Sequence, residues 1–425
     1  RMENRTITLT TDSLNYDRLA NLGYFFDGGT LMDQENVLTS DWGEYSPATK
    51  MSVFNYEVKL VNPQFTLTSD TLRYNTETKV ANIVGPSDIL SQENHIYSEL
   101  GFYDTYHGQA QLLDRSVLTN GAKRMTGDSL FYDRNRGFGE AFGAVELLDT
   151  AGRNMLTGEY CHYNQLTGYA FATDKAMAVD FSQGDSLFIH ADTLQLFTFH
   201  MGTDSVSREA RAFHKVRIYR ADVQGVCDSL VFASKDSCLT MYRDPILWND
   251  NQQLLGEEIL VYMNDSTIDR AHIRNQALSV ERIDSACYNQ VAGKDMEAFF
   301  KDGEMERIDV TGSVRVVYYP MEKDSTLIGM NVSETSQLTI YLKNRKLKRM
   351  VMSPQSSGTL YPMSLIPEKK RKLENFAWFD YIRPISKEDI FNWRGKQAGQ
   401  ELKKSVRGAA PLPNRNLFEN NRKEE

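Results

Sequence analysis

Two tetrapeptides in this chain have the form of a catalytic motif. Gly127-Asp128-Ser129-Leu130 and Gly184-Asp185-Ser186-Leu187 each set a serine in the context that serine esterases use for their nucleophile. Such a serine needs a base and an oxyanion hole built around one site. Here the motif is not singular. Asp-Ser-Leu returns at Asp12-Ser13-Leu14 and Asp228-Ser229-Leu230, and Asp-Thr-Leu begins at Asp70 and Asp192. A segment that recurs in phase is scaffold, and the copy at Gly184 is out of phase, in a turn. No catalytic residue is expected.

Metal chemistry is the second possibility the residues raise. Asp12, Asp41, Asp70, Glu99 and Asp128 stand 29 positions apart. A calcium ladder needs several oxygen ligands per ion in a short Gly/Asp-rich repeat. One carboxylate every 29 residues is too sparse for that. The expected role of each acid is to cap a strand start by accepting a backbone N–H bond. The seven histidines are scattered, with no pair at i,i+4 spacing. The four cysteines, Cys161, Cys227, Cys238 and Cys287, form no CxxC. If Ser234-Lys235-Asp236-Ser237 is a hairpin turn, Cys238 falls opposite about residue 233 rather than Cys227. Free, buried thiols are therefore expected, with no metal and no cofactor.

What remains is the spacing itself. Each acid of the ladder is followed four residues later by an aromatic, as in Asp12…Tyr16, Asp41…Tyr45, Asp70…Tyr74, Glu99…Tyr103 and Asp128…Tyr132. The pattern continues more loosely through Glu159…Tyr163, Asp192…Leu196-Phe197, Asp228…Phe232, Glu258…Tyr262 and Asp295…Phe299. A fixed period of this size marks a repeat architecture. Polar turns such as Asn75-Thr76-Glu77-Thr78-Lys79 follow each aromatic, and a second reversal falls mid-repeat, as at Asp33-Gln34-Glu35-Asn36. Each repeat thus reads as two strands of roughly ten residues, antiparallel because the connections are too short for crossovers. Alternation puts Asp128, Leu130 and Tyr132 on one face. The expected fold is all-β: an elongated stack of antiparallel strands with a continuous apolar lining, each repeat burying itself against its neighbours.

The totals agree. The 425 residues include 21 Tyr and 21 Phe, which favour strands. No apolar run is long enough to cross a membrane as a helix, and no signal peptide is visible at the start. Residues 343–425 carry 19 Lys/Arg against 9 Asp/Glu, while the preceding 342 carry 29 against 48. An acidic array argues against nucleic-acid binding. The organisation expected is a regular array over 1–200, a degenerate continuation over 201–352, and a Pro-, aromatic- and Lys/Arg-rich segment over 353–395 packing on the array. An extended or disordered tail is expected over 396–425. Within the third segment, Ser386 is positioned to cap a short helix with Asp389 as its partner.

The repeat resembles a known family. Asp-Ser/Thr-Leu-x-Tyr, a polar turn and a Gly/Ala-rich returning strand ending in Val145-Glu146-Leu147 are similar to the OstA-like (LptA, lipopolysaccharide-transport) proteins. Met177-Ala178-Val179 resembles the family's ladder strands, and Leu327–Leu342 and the stretch from Gly358 to Phe391 resemble later units of its long Bacteroidetes-type members. The resemblance implies an open β-jellyroll, or slide, whose apolar groove shields the acyl chains of lipopolysaccharide or a related glycolipid. It implies a periplasmic location, at the outer or inner membrane or between them, and a part in a bridge to the outer membrane. Partners would be other jellyroll components of the pathway, joined by edge-strand addition. The candidate lipid-binding residues are Leu14, Tyr16, Leu72, Tyr74, Tyr103, Leu130, Tyr132, Val145 and Leu147. The alternative is a structural or adhesive β-repeat protein with a closed core; a glycan-processing enzyme on a β-repeat surface is a third reading.

Overall fold

The computed structural model describes residues 1–402 apart from 4–6, 93, 183, 265–267, 302–303, 323, 325 and 344–345; most of the tail expected over 396–425 lies outside the described residues. Among the described residues the chain forms 34 strands in one continuous sheet, and every pairing is antiparallel. It zigzags. Phe65–Asn75, Val80–Leu90 and Asn94–Asp104 are 11-residue rungs, each hydrogen-bonded to its neighbours in the stack. Elsewhere a rung is broken in two: Gln109–Leu112 and Ser116–Asn120 pair with the two halves of Asn94–Asp104. Two rungs make one 29-residue repeat.

The acidic ladder marks where each rung is creased. In Phe65–Asn75 the buried residues are Phe65, Leu67 and Ser69, then Leu72 and Tyr74. The alternation changes phase at Asp70 and Thr71, which both turn outward. Each neighbouring rung sets two residues against Asp70: Tyr56 and Glu57 on one side, Gly85 and Pro86 on the other. Tyr56, Glu57 and Gly85 have φ of 62°, 52° and 90°. An extra residue in a ladder bends and twists the strand, and a bulge repeated at the same place in alternate rungs folds the whole sheet lengthwise into two facing walls.

The capping role expected for the acids is only partly met. Glu159 accepts from the Ala144 N–H at 3.3 Å and Asp295 from the Asn275 N–H at 3.3 Å. At Asp128 the backbone N–H instead donates to the Gly143 carbonyl at 3.0 Å, and the carboxylate pairs with Arg115 at 3.4 Å. Asp128 is also exposed rather than sharing the inward face with Leu130 and Tyr132, because the phase change lies next to it. The acids face cations along the crease, as in Glu159–Lys175 at 2.8 Å and Asp228–Arg243 at 3.0 Å.

Between the walls lies one continuous core. Leu31, Leu38, Leu60, Leu67, Leu72 and Ile83 are wholly buried in it, and it extends to Val310 and Leu338. At the inner side of the crease the walls converge and small residues are required. Ser69, Ser87, Ser98 and Ser116 stand there, with Oγ–Oγ separations of 2.7 Å for Ser87–Ser69 and 2.9 Å for Ser116–Ser98. All four cysteines are buried and free, and Cys238 pairs across the ladder with Ala233.

The last strand, Lys346–Pro362, is followed by a strap of 3₁₀ turns that runs back over the outer face of one wall. Three buried glutamines hold it. Gln290 donates to the Arg371 carbonyl at 2.7 Å and accepts from the Leu373 N–H at 2.8 Å. Gln253 donates to the Ala377 carbonyl at 2.9 Å and accepts from the Phe379 N–H at 2.8 Å. Each amide thus replaces a strand partner for residues n and n+2 of an extended segment. Gln224 accepts from the Arg383 guanidinium. Val226, Ile246, Trp248, Leu278 and Val280 pack beneath Phe379 and Ile382. The expected cap is only partly met: the Asp389 N–H donates to Ser386 Oγ at 3.1 Å and the Ile385 N–H to Asp389 Oδ2 at 3.0 Å, but the 3₁₀ turn that follows is Asp389–Phe391, with Glu388 at its N-cap and no side-chain cap bond.

Candidate functional site: the interior and its seam

The space between the walls collects apolar side chains from both halves of the described rungs. Of the residues singled out from sequence, Leu72, Tyr74, Tyr103, Leu130, Tyr132 and Val145 are buried there. Leu14 and Leu147 are half-buried against the same core, and Tyr16 is 49% exposed. The structure brings these residues into one file along the array, apart from Tyr16 at its edge.

The side opposite the crease is a seam where the two rims meet. The rims are laced by contacts at similar intervals along the chain. Asn36 on one wall donates to the phenolic oxygen of Tyr74 on the other at 3.0 Å, and Asn94 donates to Tyr132 at 2.8 Å; each pair is 38 residues apart. Between them, Phe65 and Tyr103, at the same offset, meet edge to face at 4.7 Å. Lys123 donates to the Tyr163 hydroxyl at 2.9 Å. The first latch is reinforced by charge: Tyr74 donates to Asp33 at 2.9 Å, and the wholly buried Asp33 is paired with Lys79 at 2.6 Å. Burial, and then the Asp33 carboxylate, push the Tyr74 phenol well above its ordinary pKa. Burial pushes Tyr103 up to about 12. Both shifts favour the protonated phenol.

The walls are closed on each other. Beside the second latch lies a cavity of about 30 Å³, lined by residues that include Leu118, Met125, Tyr132, Leu147 and Tyr163. That is room for about one water molecule. A larger space of about 320 Å³ lies between the first strands, lined by residues that include Met2, Ile7, Leu9, Tyr16 and Tyr45.

Sequence reasoning found the tyrosines of the seam but not their partners Asn36, Asn94, Lys123, Asp33 and Lys79. The signal was present: Asn36 and Asn94 are two repeats apart and fall at the mid-repeat reversals. Ser129 is half-exposed beside the crease, and Ser186 lies in a connection. No group of three His, Cys, Asp or Glu among the described residues could hold a metal ion, and no helix is long and apolar enough to cross a membrane.

Residues 1–70 match the family model described as OstA-like protein. Among solved structures the chain is similar to LptH, the LptA homologous periplasmic component of the conserved lipopolysaccharide transport device from Pseudomonas aeruginosa. The two are 16% identical, over 27% of this chain and 94% of that one, with a TM-score of 0.26. At that score nothing is argued from the likeness. No curated protein matches the chain.

Proposed function

We propose that this chain is a non-catalytic lipid-transport protein of the periplasm, which shields the acyl chains of lipopolysaccharide or a related glycolipid between its two walls. The observation that carries the reading is the OstA-like match over residues 1–70, laid on a sheet that folds apolar faces toward each other along its whole length. The proposed acyl-chain contacts are Leu14, Leu72, Tyr74, Tyr103, Leu130, Tyr132, Val145 and Leu147, with Tyr16 at the edge. Passage past the second latch requires the rims to part there, because the cavity beside it holds about one water molecule. The seam suits that demand: it is held by side-chain hydrogen bonds, whereas the crease is continuous backbone sheet. The Lys346–Pro362 strand pairs on one side only among the described residues, with Gly329–Lys343, and so offers a backbone edge for addition of a similar fold. Through such joins the protein would form part of a bridge to the outer membrane.

The closed core favours a second reading, a structural β-repeat protein with a dry interior. Photocrosslinking in the native envelope separates the two. A benzoylphenylalanine at inward Leu130 should give lipopolysaccharide adducts, and one at the exposed Asp128 should not. Equal labelling at both sites, or none at Leu130, would sink the transport reading.

A further inference from the structure

The strap has two sides. Phe379, Ile382 and Ile390 are buried on the side toward the wall. Ile385, among them in sequence, is 73% exposed. Phe391 and Trp393 rest on His190 and Arg217, at 4.7 Å and 5.4 Å, yet both remain exposed. At the strap's other end, Met363 and Ile366 pack on the wall while Leu365 is 69% exposed. Single exposed apolar residues need no explanation. Here they gather on the outer side of one thin layer whose inner side is used up in packing.

The charges of the strap are sorted in the same way. Four of its acids face arginines: Glu368 faces Arg371 at 2.8 Å, Glu374 faces Arg315 at 3.1 Å, Asp380 faces Arg282 at 3.7 Å, and Asp389 binds Arg394. Lys369, Lys370 and Lys372 are exposed a few residues after Leu365. Among the described residues no ion pair joins these three lysines to an acid. Lys387, also exposed, stands two residues after Ile385. The first 342 residues carry 29 Lys/Arg against 48 Asp/Glu, so an anionic surface repels the array and attracts these lysines. Exposed aliphatic and Trp side chains beside free lysines suit the boundary between lipid headgroups and acyl chains.

We propose that the outer side of the strap docks on an anionic phospholipid surface. Leu365 with Lys369, Lys370 and Lys372 forms one foot. Ile385, Phe391 and Trp393 with Lys387 form the other. Both are carried on the same wall, since Gln290 holds the strap near the first foot and Gln224 near the second. Two weak attachments joined in this way reinforce each other. The proposal does not depend on the transport reading.

The test is flotation of the full chain with vesicles of phosphatidylethanolamine and phosphatidylglycerol, and separately with phosphatidylcholine vesicles. The chain should float with the anionic vesicles and not with the neutral ones. Salt at about 0.5 M should weaken the association by screening. Replacing Lys369, Lys370 and Lys372 together by Gln should lower partitioning about tenfold. Ile385→Ser should lower it about fivefold. All four residues are exposed, so the melting temperature should stay at the parent value. Lys59→Gln with Lys235→Gln, exposed on the array, should change nothing. No flotation with anionic vesicles overturns the proposal and leaves the face to a protein partner. Flotation that both strap variants leave at the parent level also overturns it, as does equal flotation with neutral vesicles. Lipopolysaccharide labelling at Leu130 is read separately, so either reading can fail alone.

Discussion

Asn94 and Tyr132 belong to rungs on opposite walls, and the amide of one donates to the phenolic oxygen of the other across 2.8 Å. The Asn94 carbonyl oxygen is held in turn by the Asn120 amide at 2.8 Å. Asn36 repeats both contacts, with Tyr74 at 3.0 Å and with Asn62 at 2.9 Å. The seam is therefore a row of similar polar stitches closing an apolar interior.

Removing a stitch should loosen the rim without unfolding the array. Asn94→Ala deletes the bond to Tyr132 and leaves Asn120 without its acceptor, at a cost of about 1–3 kcal/mol. The loss is expected in equilibrium unfolding. Faster amide exchange should be confined to the strands Asn94–Asp104 and Ser129–Asp133. If lipid passes between the walls, the same variant should label more strongly at Leu130. Uniform exchange acceleration along the array would contradict a local latch.

The crease should be far less forgiving than the seam. Gly143 has φ of 72°, and a Cβ there would sit 2.4 Å from Asp128 Oδ2. Gly143→Ala adds a left-handed backbone penalty to that clash, for a loss of about 1–3 kcal/mol. Gly139, on the same strand, would meet nothing closer than 3.8 Å, so Gly139→Ala should change stability little. Chemical denaturation of the two variants side by side measures the difference; similar losses would mean the bulge is not under constraint.

How far the sequence anticipates this structure depends on what carries the information. The period from Tyr16 to Tyr132 sets the rungs, their antiparallel order and the inward file of Leu72, Leu130 and Tyr132, because a repeat leaves the same side chain at the same register. The crease is not legible by strand alternation. Asp128 and Leu130 look like neighbours on one face until a bulge shifts the phase, and left-handed backbone at Tyr56 or Ala144 is not announced by residue type. The seam is written in pairs 38 apart, which only a lengthwise fold makes meaningful. Gln224, Gln253 and Gln290 look like surface residues because the strap that buries them comes from 80 to 160 positions later.

The strap gives a separable prediction. Gln253 Oε1 accepts from the Trp248 Nε1–H at 3.1 Å as well as from the strap backbone. Gln253→Leu should release the strap near Ala377 while the array persists. Limited proteolysis by trypsin should then cut at Lys369–Lys372 several times faster than in the parent, and Trp248 emission should change. Unchanged cleavage would show that the aromatic packing of Phe376, Trp378 and Phe379 suffices.

Acid should loosen the strap as well. Burial lowers the pKa of His190, His162 and His272 below the ordinary 6.5. A group whose folded pKa is depressed binds more protons in the unfolded chain, so its stabilising contribution is present above 6.5 and is lost as pH falls through the folded value. His190 donates from Nδ1 to the Ala176 carbonyl at 2.6 Å and packs on Phe391 of the strap at 4.7 Å. Protonating it places a charge beside Arg217, whose guanidinium binds the Ile390 carbonyl. Melting temperature should therefore fall between pH 7 and pH 5, with strap proteolysis rising over the same range. His190→Gln, which keeps a donor for Ala176 but cannot be protonated, should flatten the proteolysis profile while leaving the contribution of His162 and His272 to the melting temperature. A variant with an unaltered pH profile would remove His190 from this role.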